Sequence, residues 1–553
     1  MPYTVRFANK ARSVQPRLPP HAHPRILFAP SELQQLRARL LLDSPAAGSI
    51  LGSVRSELTY QVMDGDGQDN GIRRPDGSSN FSRADLELTM KAAFVALMEG
   101  EWSEMPALAA DLVALAGGVR RALEAKRASD PWWRMNWRSN VHDYVSAAVG
   151  NQPSHLGWAY DYLHPYMSEA QRDEVRAAIS LATRGFATVG FYAVGATQVA
   201  SSNWIPLTTF DMIQLVRSIE DEPGWDARTA IELKRVADRY FLGGVFSSGA
   251  TYEGAGKAAL GSQAILELQL RWAAGLMQTA LATLHTHVGH WLLHRLSPWG
   301  GDSIDSDEFL GTSDSPMTQS DVMAAKYCFP SDLRVDFVHR NMLRGSLSAC
   351  ALADTHSACA ELRGSVYEAP SIRGLSGGNS FGDTMADLIS AQDAQISVDD
   401  EATFDRIADV AGRTMICCRR GIMITRSQWH RDAAHLTFQP RSVKGGHSMP
   451  NRGYVLLKAL RRSWSVYANT YDHGHASVLH FDGVASSTLP ATFVDFADGE
   501  DVTIATANLT LPYVRSFGEP FVESFAVTPQ DAQGRVCPAE EGWIPDASGV
   551  TPR

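Results

Sequence analysis

Apolar residues recur at helical spacing through most of the first 300 residues of the chain. Ser31 followed by Gln34 has the spacing of a capping box, and an apolar stripe of leucines lies behind it. Further helical segments are predicted at residues 92–97, 155–182, 207–219 and 230–241, and Ser168 is expected to begin a helix after Pro165. Alternating strands do not interrupt these segments. The pattern therefore predicts an all-α layer of helical hairpins.

From about residue 413 the pattern changes to a period of two. Strands are predicted at residues 422–425, 435–438, 454–457, 464–467 and 502–505, separated by turns rich in Gly, Asn and Asp. Such spacing is typical of an antiparallel sandwich. The expected fold class is α+β multidomain, with these parts: an N-terminal arm (1–24), a helical domain (25–310), a connecting region with the first strands (311–412), a β-domain (413–528) and a flexible tail (529–553).

Composition excludes several classes of protein. The 553 residues include 50 Lys and Arg and 61 Asp and Glu, a net charge of −11, and 44% are hydrophobic, which is ordinary for a globular protein. An acidic chain argues against nucleic acid as a partner. The N-terminus lacks the apolar core of a signal peptide, so the cytoplasm is the default expectation. The six cysteines have no framework spacing, and reduced thiols are expected.

The longest stretch without charges, residues 272–294, is predicted to be a buried helix rather than a membrane span. It carries four histidines, which a lipid environment would tolerate poorly. Three of them, His287, His290 and His294, fall on one helical face with a spacing that metals can use. Carboxylates are missing beside them in the sequence, so buried core histidines are the preferred interpretation.

Several short motifs follow one another in an order that resembles the heparinase II/III-like polysaccharide lyases. They are His23–Phe28, His155–Tyr162, Ser202–Trp204, Gly249–Gly254, Arg426–Trp429, Gly446–Gly453 and His475–Gly483. The resemblance extends over residues 23–515. It implies an (α/α) toroid, an incomplete barrel of helical hairpins, followed by an antiparallel β-sandwich. The active site of such a protein lies in the cleft between the two.

The chemistry implied by this resemblance is β-elimination at a uronic acid of an anionic polysaccharide or oligosaccharide. The carboxylate of the sugar must be neutralised, a base must remove the C5 proton, and an acid must protonate the departing O4. The resemblance and the residue types give five catalytic candidates: Asn203, Tyr252, Lys257, His447 and Tyr471. Candidates for substrate binding are Trp204, Glu253, Arg134, Trp137 and Arg452. For Arg134 and Trp137, an aromatic core with a solvated arginine is an equal alternative.

Two departures from the family pattern keep other functions open. Lys257 stands where the family motif has a tyrosine, and a desolvated lysine can also act as a base. Met449 and Asn451 stand where relatives have a His and an Asp, and that His helps to bind zinc in some relatives. We therefore expect no metal and no cofactor. A uronate C5-epimerase and a catalytically impaired glycan-binding protein remain alternatives, as does a sandwich shortened soon after Tyr513.

Overall fold

The computed structural model of the protein describes residues 22–26, 28–42, 83–129, 154–189, 212–231, 233, 289–298, 332–338, 401–418, 420–430, 432–440, 452–460, 462–464, 491–499 and 501–509. Helices dominate the described residues up to Ala411, and the strands follow from Thr414 on. This is the order that the sequence pattern predicts. The complete toroid and the complete sandwich stay predictions.

Six helices have defined bounds in the described part of the chain: α1 (Pro30–Leu42), α2 (Arg83–Glu99), α3 (Met105–Ser129), α4 (Ser154–Leu163), α5 (Glu169–Val189) and α6 (Glu401–Ala411). A 3₁₀ turn, His164–Tyr166, joins α4 to α5. Further helical residues lie at 212–218, 227–231, 289–295 and 333–338. None of the described helices combines the length and the apolar character that crossing a bilayer requires.

The first helix begins earlier than the capping-box pattern predicts. α1 starts at Pro30, and the Glu32 carboxylate accepts a hydrogen bond of 2.8 Å from the N–H of Ala29. The prediction of Ser31 and Gln34 as the cap is therefore wrong. Proline lacks an N–H and has a fixed φ that suits the first helical position, so the helix starts one residue ahead of Ser31.

The predicted start of α5 is confirmed. The N–H of Ser168 donates to Gln171 Oε1 at 2.8 Å, and the N–H of Gln171 donates to the Ser168 hydroxyl at 3.4 Å. These reciprocal bonds form a capping box, which satisfies N–H groups that the helix itself leaves without partners. The chain therefore reverses sharply between α4 and α5.

Helix α4 lies at the centre of the helical layer, and all ten of its residues are buried. Gly157 allows a close approach to the helical residues 212–218, because a Cβ at this position would lie 3.1 Å from the Leu215 Cα. The indole N–H of Trp158 donates to the Gln214 side chain in the same contact. A helix that is buried all round explains why most of its residues are apolar or aromatic and why its polar residues are buried as well.

Two contacts fix the direction of the long helices. Trp102, in the turn between α2 and α3, stacks on Tyr166, with ring centroids 6.2 Å apart. Further along the same helices, Arg120 of α3 pairs with Glu174 of α5 at 3.1 Å. α3 and α5 therefore run in the same direction. α4 runs against both, because Arg172 and Arg176 of α5 contact His164 and Tyr160 in reverse chain order. The helical layer therefore has two ends. One holds the last residues of α3 and α5 and the first residue of α4, and we term it the Ser154 end. We term the opposite end the Trp102 end.

Seven strands are described. β1 (Thr414–Cys417), β2 (Ile422–Arg426), β3 (His435–Gln439), β4 (Tyr454–Ala459) and β5 (Arg462–Ser463) form an antiparallel meander in chain order, and β6 (Thr492–Asp498) pairs with β7 (Thr503–Asn508). Four of the predicted strands overlap β2, β3, β4 and β7. The fifth, 464–467, lies just beyond β5 and mostly outside the described residues. Within 311–412, the described residues 333–338 and 401–411 are helical.

The β1–β2 part of the five-stranded sheet is buried on both faces. Trp291 covers one face, packing on Met415, Cys417, Ile422 and Ile424. Phe493 and Phe496 of the β6–β7 ribbon cover the other, packing on Ile416, Cys418 and Met423. Strands that are buried on both sides need apolar residues at successive positions, which explains the continuous apolar runs of β1 and β2. Cys417 and Cys418 are free thiols, as the sequence predicts.

Replacing Gly157 tests the close approach between α4 and residues 212–218. We expect Gly157→Ala to lower the free energy of unfolding by about 1–3 kcal/mol, because the added methyl group meets backbone atoms that cannot move aside easily. Gly117→Ala in α3 is the matched control. Its Cβ would lie 3.4 Å from the Arg121 guanidinium. We expect a gain of up to about 1 kcal/mol from helix propensity there. Equal effects of the two substitutions in urea denaturation would contradict this packing.

Candidate functional site

Most of the site residues predicted from the sequence lie outside the described residues. These are the catalytic candidates Asn203, Tyr252, Lys257, His447 and Tyr471 and the binding candidates Trp204, Glu253, Arg134 and Trp137. Arg452 is described, and its side chain is fully buried two residues before β4. A side chain buried in this way cannot contact a polymer directly, and a role for Arg452 in substrate binding stays a prediction.

The described helices nevertheless fix where two of the predicted segments leave the helical layer. Residues 130–153, with Arg134 and Trp137, connect the last residue of α3 to the first of α4. Residues 190–211, with Asn203, leave α5 and lead to the helical residues 212–218, which run beside α4 in the same direction. Both segments therefore begin and end toward the Ser154 end. Where the candidates within these segments lie stays outside the described residues.

At the Trp102 end, two of the motifs that carry the family resemblance meet each other. His23 Nδ1 lies 2.6 Å from Asp161 Oδ1, although 138 residues separate them in the chain. The Asp161 carboxylate also accepts hydrogen bonds from two backbone N–H groups, that of Arg25 at 2.8 Å and that of Ile26 at 3.0 Å. One carboxylate thus holds the extended segment around residues 23–26 against α4.

A second carboxylate, Glu222, completes this network from the chain after the helical residues 212–218. His23 Nε2 lies 2.7 Å from Glu222 Oε1, and the Tyr160 hydroxyl donates to Glu222 Oε2 at 2.6 Å. Arg176 of α5 donates to the same oxygen at 3.2 Å. Each ring nitrogen of His23 faces a carboxylate oxygen, an arrangement that an imidazolium donating on both sides satisfies. We term His23, Asp161, Glu222, Tyr160 and Arg176 the buried network.

Electrostatics explains why Glu222 stays ionised although it is buried. Burial by itself would raise the pKa of its carboxyl group. Hydrogen bonds from His23 and Tyr160, together with the charges of His23 and His164, outweigh burial and lower the pKa of Glu222 to about 2. In turn, burial and the Glu222 charge raise the pKa of Tyr160. Tyr160 therefore serves as a hydrogen-bond donor to Glu222 and not as a base.

The one group of possible metal ligands in the described residues combines His164 with two members of the buried network. His23, His164 and Glu222 bring ligand atoms within 4.8 Å of one another. Both nitrogens of His23 already lie at hydrogen-bond distance from carboxylates, and the Arg176 guanidinium lies 3.2 Å from Glu222. A guanidinium so close would repel a divalent cation. The geometry is that of a hydrogen-bonded network.

The buried network can stabilise the fold but cannot contact a substrate. The side chains of His23, Asp161 and Glu222 are 0% exposed. Moreover, the network lies at the Trp102 end, opposite the end from which the predicted site segments leave. Its chemical task is to bind backbone N–H groups and neutralise buried charge. Sequence analysis missed Glu222 because it lies in an acidic turn. It missed Arg176 because an arginine at helical spacing from Glu169 resembles one half of an exposed ion pair. Both patterns are typical of a solvated surface.

The histidines between residues 272 and 294 agree with the interpretation preferred from the sequence where they are described. His290 and His294 are buried, with ring centroids 4.3 Å apart. His294 Nε2 lies 3.3 Å from the backbone oxygen of Ala411. His287 lies outside the described residues. The described pair therefore packs within the protein core.

Replacing Asp161 tests the buried network. We expect Asp161→Asn to lower the free energy of unfolding by about 3–5 kcal/mol, because it leaves His23 without one of its buried counter-charges. Asp173→Asn is the matched control on the exposed edge of the same network. Asp173 pairs with Arg176 but its side chain is 63% exposed, so a change below about 1 kcal/mol is expected. Chemical denaturation monitored by circular dichroism measures both, and similar losses would refute the assignment.

Comparisons with known proteins give likenesses of structure alone. No protein-family model and no curated protein matches the chain. A heparinase III, the BT4657 gene product with methylated lysines, is 10% identical, with a TM-score of 0.43 and coverage of 83% of this chain and 66% of its own. A mutant of the heparan sulfate lyase HepC from Pedobacter heparinus is 10% identical, with a TM-score of 0.47 and coverage of 86% and 69%. Another HepC structure from that organism is 13% identical, with a TM-score of 0.19 and coverage of 76% and 72%.

Proposed function

We propose that this protein is a polysaccharide lyase that cleaves a uronic-acid-containing glycan by β-elimination, without a metal or cofactor. Support comes first from the sequence, in which the motifs resembling heparinase II/III-like lyases follow in one order from residue 23 to residue 515. Two of these motifs also contact each other through His23 and Asp161. The motifs thus behave as parts of one fold rather than as chance matches.

One observation of the structure carries the proposal. The segments that hold Asn203 and Arg134 both begin and end toward the Ser154 end of the helical layer. In an antiparallel helical layer every second connection lies at the same end, so the two segments can contribute side chains to one site. Catalysis requires groups from different segments around one reacting centre, so this arrangement is the one that a common site needs.

The proposed roles follow from the chemistry of elimination. Asn203 and His447 neutralise the sugar carboxylate, which makes the C5 proton acidic. Lys257 or Tyr252 removes that proton, and Tyr471 is a further candidate for proton transfer. The aromatic and charged candidates bind the polymer around this centre: Trp204, Glu253, Arg134, Trp137 and Arg452. In this proposal Arg452 acts by holding the neighbouring loop in place.

Lys257 keeps two alternative functions open beside the lyase. A lysine in place of the usual tyrosine changes the group that delivers the proton. With reprotonation of C5 from the opposite face instead of loss of O4, the same site would act as a uronate C5-epimerase. A chain that had lost proton transfer would remain a glycan-binding protein.

A panel of glycans distinguishes these functions. The purified protein is incubated with alginate, heparan sulfate, chondroitin, hyaluronan and glucuronan, and the absorbance of the unsaturated uronate product is followed. We expect absorbance to rise with at least one of them. Exchange of the C5 proton with solvent deuterium without absorbance would instead indicate an epimerase. Binding without either signal would indicate a glycan-binding protein.

Replacing His447 tests the site on an accepted substrate. We expect His447→Ala to lower turnover by at least about a hundredfold, the usual scale for losing a charge-stabilising or acid–base group. His430→Ala is the control, because His430 lies on the connection between β2 and β3, at the other end of β3 from the β3–β4 connection. Lys257→Tyr should retain or raise activity. Wild-type turnover of the His447 variant would refute this mechanism.

A further inference from the structure

Side chains of the sheet bind the end of a buried helix. The guanidinium of Arg426, at the end of β2, donates to the backbone oxygens of Leu293 at 3.4 Å, His294 at 3.2 Å and Leu296 at 2.8 Å. His435 Nε2 lies 3.1 Å from the same oxygen of His294. The last carbonyl groups of a helix have no hydrogen-bond donor within the helix, and the side chains of Arg426 and His435 supply donors here.

A second helix end is bound at the same place. His294 Nε2 lies 3.3 Å from the backbone oxygen of Ala411, the last residue of α6. The indole N–H of Trp429 donates to the backbone oxygen of Gly412 at 2.7 Å. Arg426 lies over the Trp429 ring at 3.7 Å from its centroid. These contacts join residues 289–296, the end of α6 and one end of the sheet, and we term them the junction.

Positive charge surrounds the two histidines of the junction. Their charged and titratable neighbours are Arg426 on β2, Lys458 on β4, Arg334 with its partner Asp332, and His290 one turn before His294. Lys458 lies directly across from His435 in the register of β3 and β4. Burial lowers the pKa of Arg426 to about 9, so this residue keeps its charge at neutral pH. A proton added to either histidine would create a second buried cation beside Arg426.

The pKa values fix the direction of the pH effect. Burial, followed by the Arg426 charge, lowers the pKa of His294 to about 3, and the same causes lower that of His435. An exposed histidine has a pKa of about 6.5. Protons therefore bind the opened junction in preference to the closed one. The contribution of the histidines to stability is complete above about pH 6.5 and is lost as the pH falls below it.

We propose that the junction is an acid-sensitive contact between the helical layer and the sheet, which opens when His294 and His435 take up protons while the helical layer stays folded. Both histidines use a ring N–H to bind a helix end, so they can do so in the neutral form. The buried network at the Trp102 end involves none of these residues and should keep α4 and α5 together. Mild acid would therefore separate the two parts of the protein without unfolding both.

Amide hydrogen exchange of the full chain at several pH values tests this proposal. Peptides from residues 289–298 and 401–418 report on the junction, and peptides from α5 report on the helical layer. After correction for the intrinsic exchange rate, we expect junction protection to fall at least about tenfold between pH 7.5 and pH 5.5. Protection of α5 should change less than about twofold. Equal losses in both sets of peptides would overturn the proposal, because acid would then unfold the chain as one unit.

Variants separate the histidines from other acid effects. Glutamine can donate from nearly the same place as His Nε2 but does not titrate. In the double variant His294→Gln/His435→Gln we expect junction protection to change less than about twofold over this pH range. His430→Gln, which replaces a half-exposed histidine outside the junction, should behave like the wild type. An unchanged pH response of the double variant would overturn the proposal. If that variant fails to fold, the comparison of junction and α5 peptides in the wild type still decides.

Discussion

The carboxylate of Asp161 is the constraint on which the helical layer depends. An extended segment such as residues 22–26 has backbone N–H groups that no helix or strand satisfies. Asp161 accepts two of them, from Arg25 and Ile26, and also binds His23. Burying this carboxylate requires compensating positive charge, which His23 provides and shares with Glu222. One side chain of α4 thereby fixes the N-terminal segment and organises the residues around it.

The same solution recurs at the contact between helices and sheet. There too, backbone groups that lack partners bind charged or aromatic side chains from distant parts of the chain. Arg426 reaches across 130 residues to the backbone oxygen of Leu296. The two places differ in the sign of the buried charge. Carboxylates dominate around His23, whereas cations surround His294 and favour the neutral form of its ring.

Local elements could be predicted from the sequence because local pattern determines them. The first residues of β2, β3 and β4 follow from turns and alternating residues, and the start of α5 follows from Ser168 and Gln171. The start of α1 was missed because proline at the first position outweighed the more familiar capping pattern of Ser31. Long-range pairings were missed for another reason. Nothing near Glu222 in the sequence indicates that His23, 199 residues away, binds it.

The candidate site could be predicted as a set of residue types but not as a geometry. The resemblance names residues such as Asn203 and His447, and the helix directions add that two of the segments share an end of the layer. The distance between these two segments depends on how the helical hairpins pack against one another, and no local sequence pattern encodes that packing.

The separation of 199 residues between His23 and Glu222 has a consequence for synthesis on the ribosome. At about 5–20 residues per second, Glu222 emerges roughly 10–40 s after His23. During that interval the N-terminal segment has its histidine and backbone N–H groups open to water and to proteases. The meander of β1 to β5, by contrast, pairs each strand with the next and can form as soon as it is made. The oldest part of the nascent chain would thus stay unordered until the chain has grown to Glu222.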